Sequence, residues 1–439
     1  ASLRNHTTMP ALFGDRPEDR QSVADLLALL CPPEAYDPPD FGANANLGRK
    51  LWETLGCIGC HSFNPPAATD EYDRISLYFT AAKYRPGQIG ELIRNPHSTH
   101  PLTRMPGFRL TDEETAALEA IVRTRSKGEL KAVALPVGDA GRGREFFLKR
   151  GCANCHARIP SAEGGVEHLP EFSPPGFKLA NSDKGCLATE NSPNVPRHRL
   201  SAEDRASLQA FLGQRNRFQT QLSSIQRLEN LWTRLRCGIC HSRDGEKSLL
   251  PTIIAEDGDI GKIPVGLPDL TWAGEKLDPV WMSHFLGFYP GPKPRAWLET
   301  QMPSFPAWAD DLSQGLAAQH GYSPEPLIEP YRPDQVALGE ILIGKTGGLD
   351  CRQCHAVGDR PATGDEKTQL ALGINFRLIN DRVRKSYYDR FVLDPPRYAP
   401  GTRMPKLSAD GKTTGVRRIY NGDAHKQFEA LWNLIQQVR

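Results

Sequence analysis

Long apolar runs are absent: no window of the 439 residues reaches 18 consecutive apolar side chains, so no membrane-spanning helix is expected. An excess of one charge is absent too. The 54 basic and 52 acidic residues leave a formal net charge of +2 with no long run of either sign, which argues against nucleic acid as a partner. The opening residues, ASLRNHTTMP, have none of the three regions of a signal peptide, and a soluble, already processed chain is expected. Several enzyme classes lose their usual phrases: there is no G-x-G-x-x-G between a strand and a helix, no P-loop, no G-x-S-x-G and no H-E-x-x-H. Aromatics are only 8% and hydrophobic residues 39%, whereas 39 Gly and 37 Pro are scattered through the chain. That mixture predicts small, loop-rich modules with thin cores, and the length predicts about three to four of them. A large, rigid, apolar cofactor packed on both faces would complete such cores.

What is present is cysteine in one pattern. Of ten cysteines, eight form four copies of Cys-x-x-Cys-His: Cys57, Cys60 and His61; Cys152, Cys155 and His156; Cys237, Cys240 and His241; Cys351, Cys354 and His355. Two thiols three positions apart on a helical turn reach the two vinyl groups of one porphyrin, and the adjacent imidazole then lies under the iron as proximal ligand. Zinc would need paired motifs to finish each tetrahedral site, and a thioredoxin-like pair needs no histidine after every copy. Four covalent haem c groups are therefore expected, attached outside the cytoplasm in a periplasmic or extracellular setting. Two ionised propionates per haem would carry the net charge to roughly −6, leaving partner surfaces to local patches.

The same helix recurs before each motif: LGRKLWETLG, GRGREFFLKRG, IQRLENLWTRLR and VALGEILIGKTGGLD, with apolar residues three and four apart as one buried face requires. The four proximal histidines stand 95, 85 and 114 residues apart, an internal repeat of about one small cytochrome per unit. A Met-Pro phrase follows three of them. Met105, Met302 and Met404 lie 44, 61 and 49 residues after His61, His241 and His355, in a chain with only five methionines. A thioether is a soft ligand suited to iron opposite imidazole, and the proline fixes its loop, so these three are the expected distal ligands. Such His/Met sites should be fairly oxidising compared with bis-His sites.

These motifs, helices and Met loops resemble the class I cytochrome c family, in which a haem-binding helix, a Met loop and a C-terminal helix wrap one haem. The resemblance covers nearly the whole chain. More narrowly, LGRKLWETLGCIGCH, KGCLA and GDAHKQFEALWNLIQ are similar to modules of the large multihaem cytochromes of planctomycete-type bacteria. That similarity implies respiratory or extracellular electron transfer and names no donor.

Haem 2 breaks the pattern. Aligning RLTDEETAALEAIV, from Arg109, with RLSAEDRASLQAFL, from Arg199, puts Val195 where Met105 stands. Its sixth site is open to His198, His168, a ligand from elsewhere, or nothing. The N-terminal stretch LRNHTTMPALFGDRPEDRQSVADLLALL reads as a Met loop and closing helix with no haem motif ahead of it, which makes Met9 the candidate from elsewhere, on haem 2 or on a neighbouring chain. Cys31 and Cys186 remain outside the motifs, as a disulfide pair or as two free thiols. His97, His100, His284, His320 and His425 are expected to be solvated loop residues.

The expected fold is mainly α: tandem cytochrome c-like (class I) haem domains with long irregular loops. An N-terminal segment spans 1–38, followed by haem modules at 39–130, 131–220, 221–330 and 331–439, with proline-rich joints CPPEAYDPPD and YSPEPLIEPYRP at two borders. The expected function is single-electron transfer through a chain of haems, as a soluble relay or a subunit of a larger or polymeric assembly. Redox proteins, identical subunits or a larger complex are the expected partners. An electron-transfer protein is expected ahead of an enzyme; the alternative is a peroxidase- or reductase-like oxidoreductase with haem 2 as its open site.

Overall fold

Short polar side chains start most of the long helices, because the first N–H groups of a helix have no partner within it. The structure, a computed structural model, describes residues 13, 16–31, 44–66, 69–98, 100–131, 133–154, 156, 158–160, 166–168, 187, 200–214, 222–264, 266–288, 293–295, 298, 300–323, 330–364 and 372–438. It is mainly α, about 52% helical. In chain order α1 (Pro17–Leu30) comes first. Around Cys57 lie α2 (Ala45–Thr54), α3 (Thr80–Lys83), α4 (Gln88–Arg94) and α5 (Asp112–Arg125). Around Cys152 lie α6 (Ala140–Lys149) and α7 (Ala202–Gly213). Around Cys237 lie α8 (Ser224–Leu235), α9 (Leu250–Asp257), α10 (Ala273–Lys276), α11 (Pro279–Phe288) and α12 (Ala309–Gln319). The last group is α13 (Val336–Ile343), α14 (Arg377–Asn380), α15 (Lys385–Leu393), α16 (Pro395–Tyr398) and α17 (Ala424–Gln437). Two short strand pairs accompany them: β1 (His61–Ser62) runs parallel to β2 (Ile75–Ser76), and β3 (Arg158–Pro160) antiparallel to β4 (Val166–His168). Among the described residues no helix is long and apolar enough to cross a membrane.

The caps are local and readable. Thr111 and Glu114 form a capping box on α5, as do Ser201 and Asp204 on α7 and Ser223 and Gln226 on α8. Asp112, Glu113 and Glu114 occupy the first turn of α5, and Arg123 and Arg125 its last, each at the end of the helix dipole that favours its charge.

The helix before each Cys-x-x-Cys-His motif crosses one other helix closely. The pairs are α2 with α5, α6 with α1, α8 with α12 and α13 with α17. A glycine sits at every crossing and leaves no room for a Cβ: Gly48 against the Ala117 carbonyl, Gly143 against Asp25, Gly339 against Ala430, and, with the glycine on the other helix, Gly315 against Leu228. In the second pair the partner is the N-terminal α1. Helix α7, the RLSAEDRASLQAFL segment aligned with α5 from sequence, forms with its capping box but buries no residue.

Three of the four helix pairs join into one body whose spatial order skips the chain order. The Cys57 and Cys237 modules share an apolar cluster of Trp52, Ile58, Ile239, Leu250, Ile253 and Ile254. Glu53, 1% exposed on α2, accepts the N–H groups of Asp259 (2.6 Å), Ile260 (2.8 Å) and Lys262 (3.3 Å). Arg74 bonds Asp257 at 2.5 Å and Arg125 bonds Asp259 at 2.6 Å across the same seam. The Cys351 module joins the Cys237 module through a bridge at Leu277 and Val383, where Asp278 N–H donates to Arg382 O (2.8 Å) and Arg384 N–H to Lys276 O (2.9 Å). The order in space is therefore first, third, fourth.

Candidate functional site

Each Cys-x-x-Cys-His motif begins on a left-handed residue, Gly56, Gly151, Arg236 or Asp350, with φ of 79°, 69°, 60° and 57°. Glycine takes that conformation freely and aspartate tolerates it; Arg236 is held there by bonds from its guanidinium to the carbonyls of Tyr72 and Asp73. A single 3-10 turn follows in all four: Cys57–Gly59, Cys152–Asn154, Cys237–Ile239 and Cys351–Gln353. The turn presents the thiols toward apolar surroundings. Burial pushes Cys57, Cys237, Cys240 and Cys351 up to about 12, so they stay neutral thiols.

The histidine after each turn is aimed by backbone. The residue after it accepts an N–H from a returning strand: Ser62 from Leu77 (2.7 Å), Ser242 from Leu270 (2.8 Å) and Ala356 from Phe376 (3.0 Å). Two residues before two of those donors stands a carbonyl bonded to the imidazole, whereas the buried His61 Nδ1 has no hydrogen-bond partner among the described residues. His241 Nδ1 lies 2.9 Å from Pro268 O and His355 Nδ1 2.8 Å from Ile374 O, while Ile75 holds the equivalent place beside His61. Donation from Nδ1 leaves the Nε2 lone pair free to ligate. Gly373 approaches the His355 ring so closely that any side chain there would displace it. Burial lowers all three imidazole pKa values, His61 to about 4, which keeps them neutral as a metal ligand must be.

Methionine sulfur meets imidazole in the third module, where His241 Nε2 and Met302 Sδ are 3.4 Å apart. Thr103 Oγ1 accepts the N–H of Met105 at 3.2 Å, and Thr402 Oγ1 that of Met404 at 3.3 Å. Thr300 occupies the same place before Met302, so the phrase is Thr-x-Met-Pro in all three. Two of these loops are paired: Gly107 N–H donates to Ser304 O (3.0 Å) and Ser304 N–H to Gly107 O (2.8 Å), each residue lying two after its methionine. Met105, His61, Met302 and His241 then line one continuous cavity of 2750 Å³, together with Cys57, Cys60, Cys237 and Cys240. A single small-molecule site is roughly 300 to 1,000 Å³, so this space exceeds one ligand. Tyr387, Tyr398 and Thr402 extend its wall into the fourth module.

Lys276, Arg295 and Arg382 lie together on that wall. Burial, then Arg382 and Arg295 nearby, push Lys276 down to about 8, and burial also lowers Arg295. Lys276 Nζ stands 5.5 Å from the Tyr387 ring centre. Such a cluster suits anionic groups entering the cavity. No group of three or more His, Cys, Asp or Glu side chains among the described residues converges to hold a metal by itself.

The second motif is arranged differently. Cys152 packs with Leu26, Leu29, Phe147 and Ile159, and His156 is exposed. His168 lies on β4, paired with Arg158. Cys155, Met9, Cys186, Val195 and His198 fall outside the described residues. Cys31 is exposed just beyond α1. Sequence reasoning missed the threonine of the Met phrase, which three aligned copies display, and the residues carrying the imidazole-facing carbonyls, which have no shared side chain. No family model matches this chain, and no curated protein or solved structure does either.

Proposed function

We propose that the chain is a c-type cytochrome, with one haem bound covalently at each Cys-x-x-Cys-His turn. More specifically, it is read as a tetrahaem relay of class I-like domains, passing single electrons between periplasmic or extracellular redox partners. The shared cavity carries this reading: two motifs, with the histidine and methionine of each, open on one space whose size suits more than one large ligand. The residues fit the group. Met302 Sδ faces His241 Nε2, Met105 lines the same cavity as His61, and the thiols of both motifs line it with them, a donor set that haem iron and its vinyl groups would take. When bound, haem supplies the one-electron exchange.

The chain's own residues do the rest. Trp52, Ile89, Phe108 and Leu118 wall one side of the cavity and Phe285, Leu286, Phe305 and Leu316 another, keeping water from the metal sites. Lys276, Arg295 and Arg382, which line the cavity, would balance the propionate charge of a bound haem. Methionine opposite histidine holds a potential above that of a bis-His site, which suits exchange between neighbours.

Expression with c-type maturation should yield four haems per chain by the pyridine haemochrome assay. A redox titration of that protein should show four one-electron steps. A chain that matures without covalent haem, or that takes up zinc at the cysteines instead, would overturn the reading.

A further inference from the structure

We propose that Lys276 carries a proton that moves with the electron at the third site, so that the potential of this one site depends on pH. The inference rests on the haem reading above and gives a role to a side chain that binds no metal. Lys276 stands where the third module is tied to the fourth. Its short helix α10 follows directly on the stretch that bonds His241 through the Pro268 carbonyl and Ser242 through the Leu270 N–H. Gly274, pressed against the Leu316 carbonyl, fixes α10 on α12. The next residue after the lysine, Leu277, packs against the cluster that Cys237 and Met302 also meet. The Lys276 carbonyl accepts the Arg384 N–H at 2.9 Å, so the fourth module helps to set where this lysine lies.

The surroundings single out one group. Lys276, Arg295 and Arg382 share a cavity wall with His241 and Met302. A guanidinium keeps its charge at every working pH, whereas an ammonium crowded by two of them gives up its proton more easily. Burial, then Arg382 and Arg295, hold Lys276 at about 8. Carboxylates near α10 are engaged elsewhere: Glu275 with Arg390, Asp278 with the N–H groups of Val280 and Trp281, and Asp389 with Lys385. On α12, Asp310 bonds Ser283 and Asp311 bonds Arg227, while His320 lies beside Trp272. Toward α15 the ammonium meets rings, with Nζ 5.5 Å from the centre of Tyr387 and 5.9 Å from that of Phe391. Burial pushes the Tyr387 phenol up to about 12, so it stays neutral, and Arg390 and Arg397 lie over the next ring, Tyr398. When the site gains one electron from its redox partner, the neutral Lys276 amine gains one proton from water, and oxidation returns both. The added negative charge favours the ammonium, so the potential should be level below about pH 8 and fall above it.

Redox titration of the fully haem-loaded chain over roughly pH 7 to 9.5 tests this. The reduction equilibrium of one site should weaken by up to about tenfold per pH unit above about pH 8, while the other three stay level. Met302→His, which lowers the third site alone, should move that same pH-dependent step. Lys276→Met should lower this step at about pH 7 and remove its slope; Lys276→Arg should remove the slope and keep the wild-type potential at about pH 7. Arg382→Gln, which removes one like charge, should carry the inflection to higher pH. A slope that survives in Lys276→Met, four level steps in wild type, or a sloping step that Met302→His leaves in place would overturn the inference and leave the haem reading standing. Fewer than four haems in wild type would count against the haem reading, and the inference with it.

Discussion

His61 is neutral because it is buried, and that sets a pH window for the cofactor-free chain. Its pKa falls from about 6.5 in the unfolded chain to about 4 in the fold. The unfolded state therefore takes up a proton first as pH falls. Stability should be level above roughly pH 6.5 and drop by about 3 kcal/mol between there and pH 4, a change read from urea midpoints across that range. At this scale the sequence was most informative where chemistry is local. Cys-x-x-Cys-His and Met-Pro are short phrases whose spacing is itself the requirement. Lys276 was invisible because Arg382, which crowds it, lies on a different module and meets it only through the Leu277 and Val383 bridge.

Helix pairs make the next level. Gly48 lies under the Ala117 carbonyl, so a side chain there must push α2 off α5. Gly48→Val should cost about 3 kcal/mol through overpacking, by urea unfolding. Gly213→Ala, where an added Cβ meets nothing, should be neutral or slightly stabilising. Apolar period marks every motif-preceding helix and a polar cap three of the four, since both signals lie within a few residues. The choice of partner is not local. Helix α7 has the capping box and the sequence likeness to α5, yet α1 holds the buried Asp25 and the Leu26 and Leu29 face that α6 requires.

Across the whole molecule, the first, third and fourth modules touch, an arrangement that the repeat period could not reveal because each repeat reads alike. Glu53 is the clearest latch of that body. Replacing it with alanine strips three backbone N–H groups of their acceptor and should destabilise the chain by about 3 kcal/mol or more. Hydrogen exchange should quicken at residues 259–262 first, while amides of the α13 and α17 pair remain protected. Two backbone hydrogen bonds between Gly107 and Ser304 bring the Met105 and Met302 loops of the first and third modules together.

The seat of α1 on α6 also bears on the order of assembly. Asp25 and Arg142 are 117 residues apart, so the helix that closes the second module is made first and must wait for its partner. By contrast, α2 and α5 lie within one module and can meet as soon as that module is complete. Loop closure over so long a stretch is slow relative to local helix pairing. The second module in sequence should therefore be the last to acquire native protection during refolding, and until then the apolar face of α1 is the surface most exposed to aggregation or to pairing with another chain.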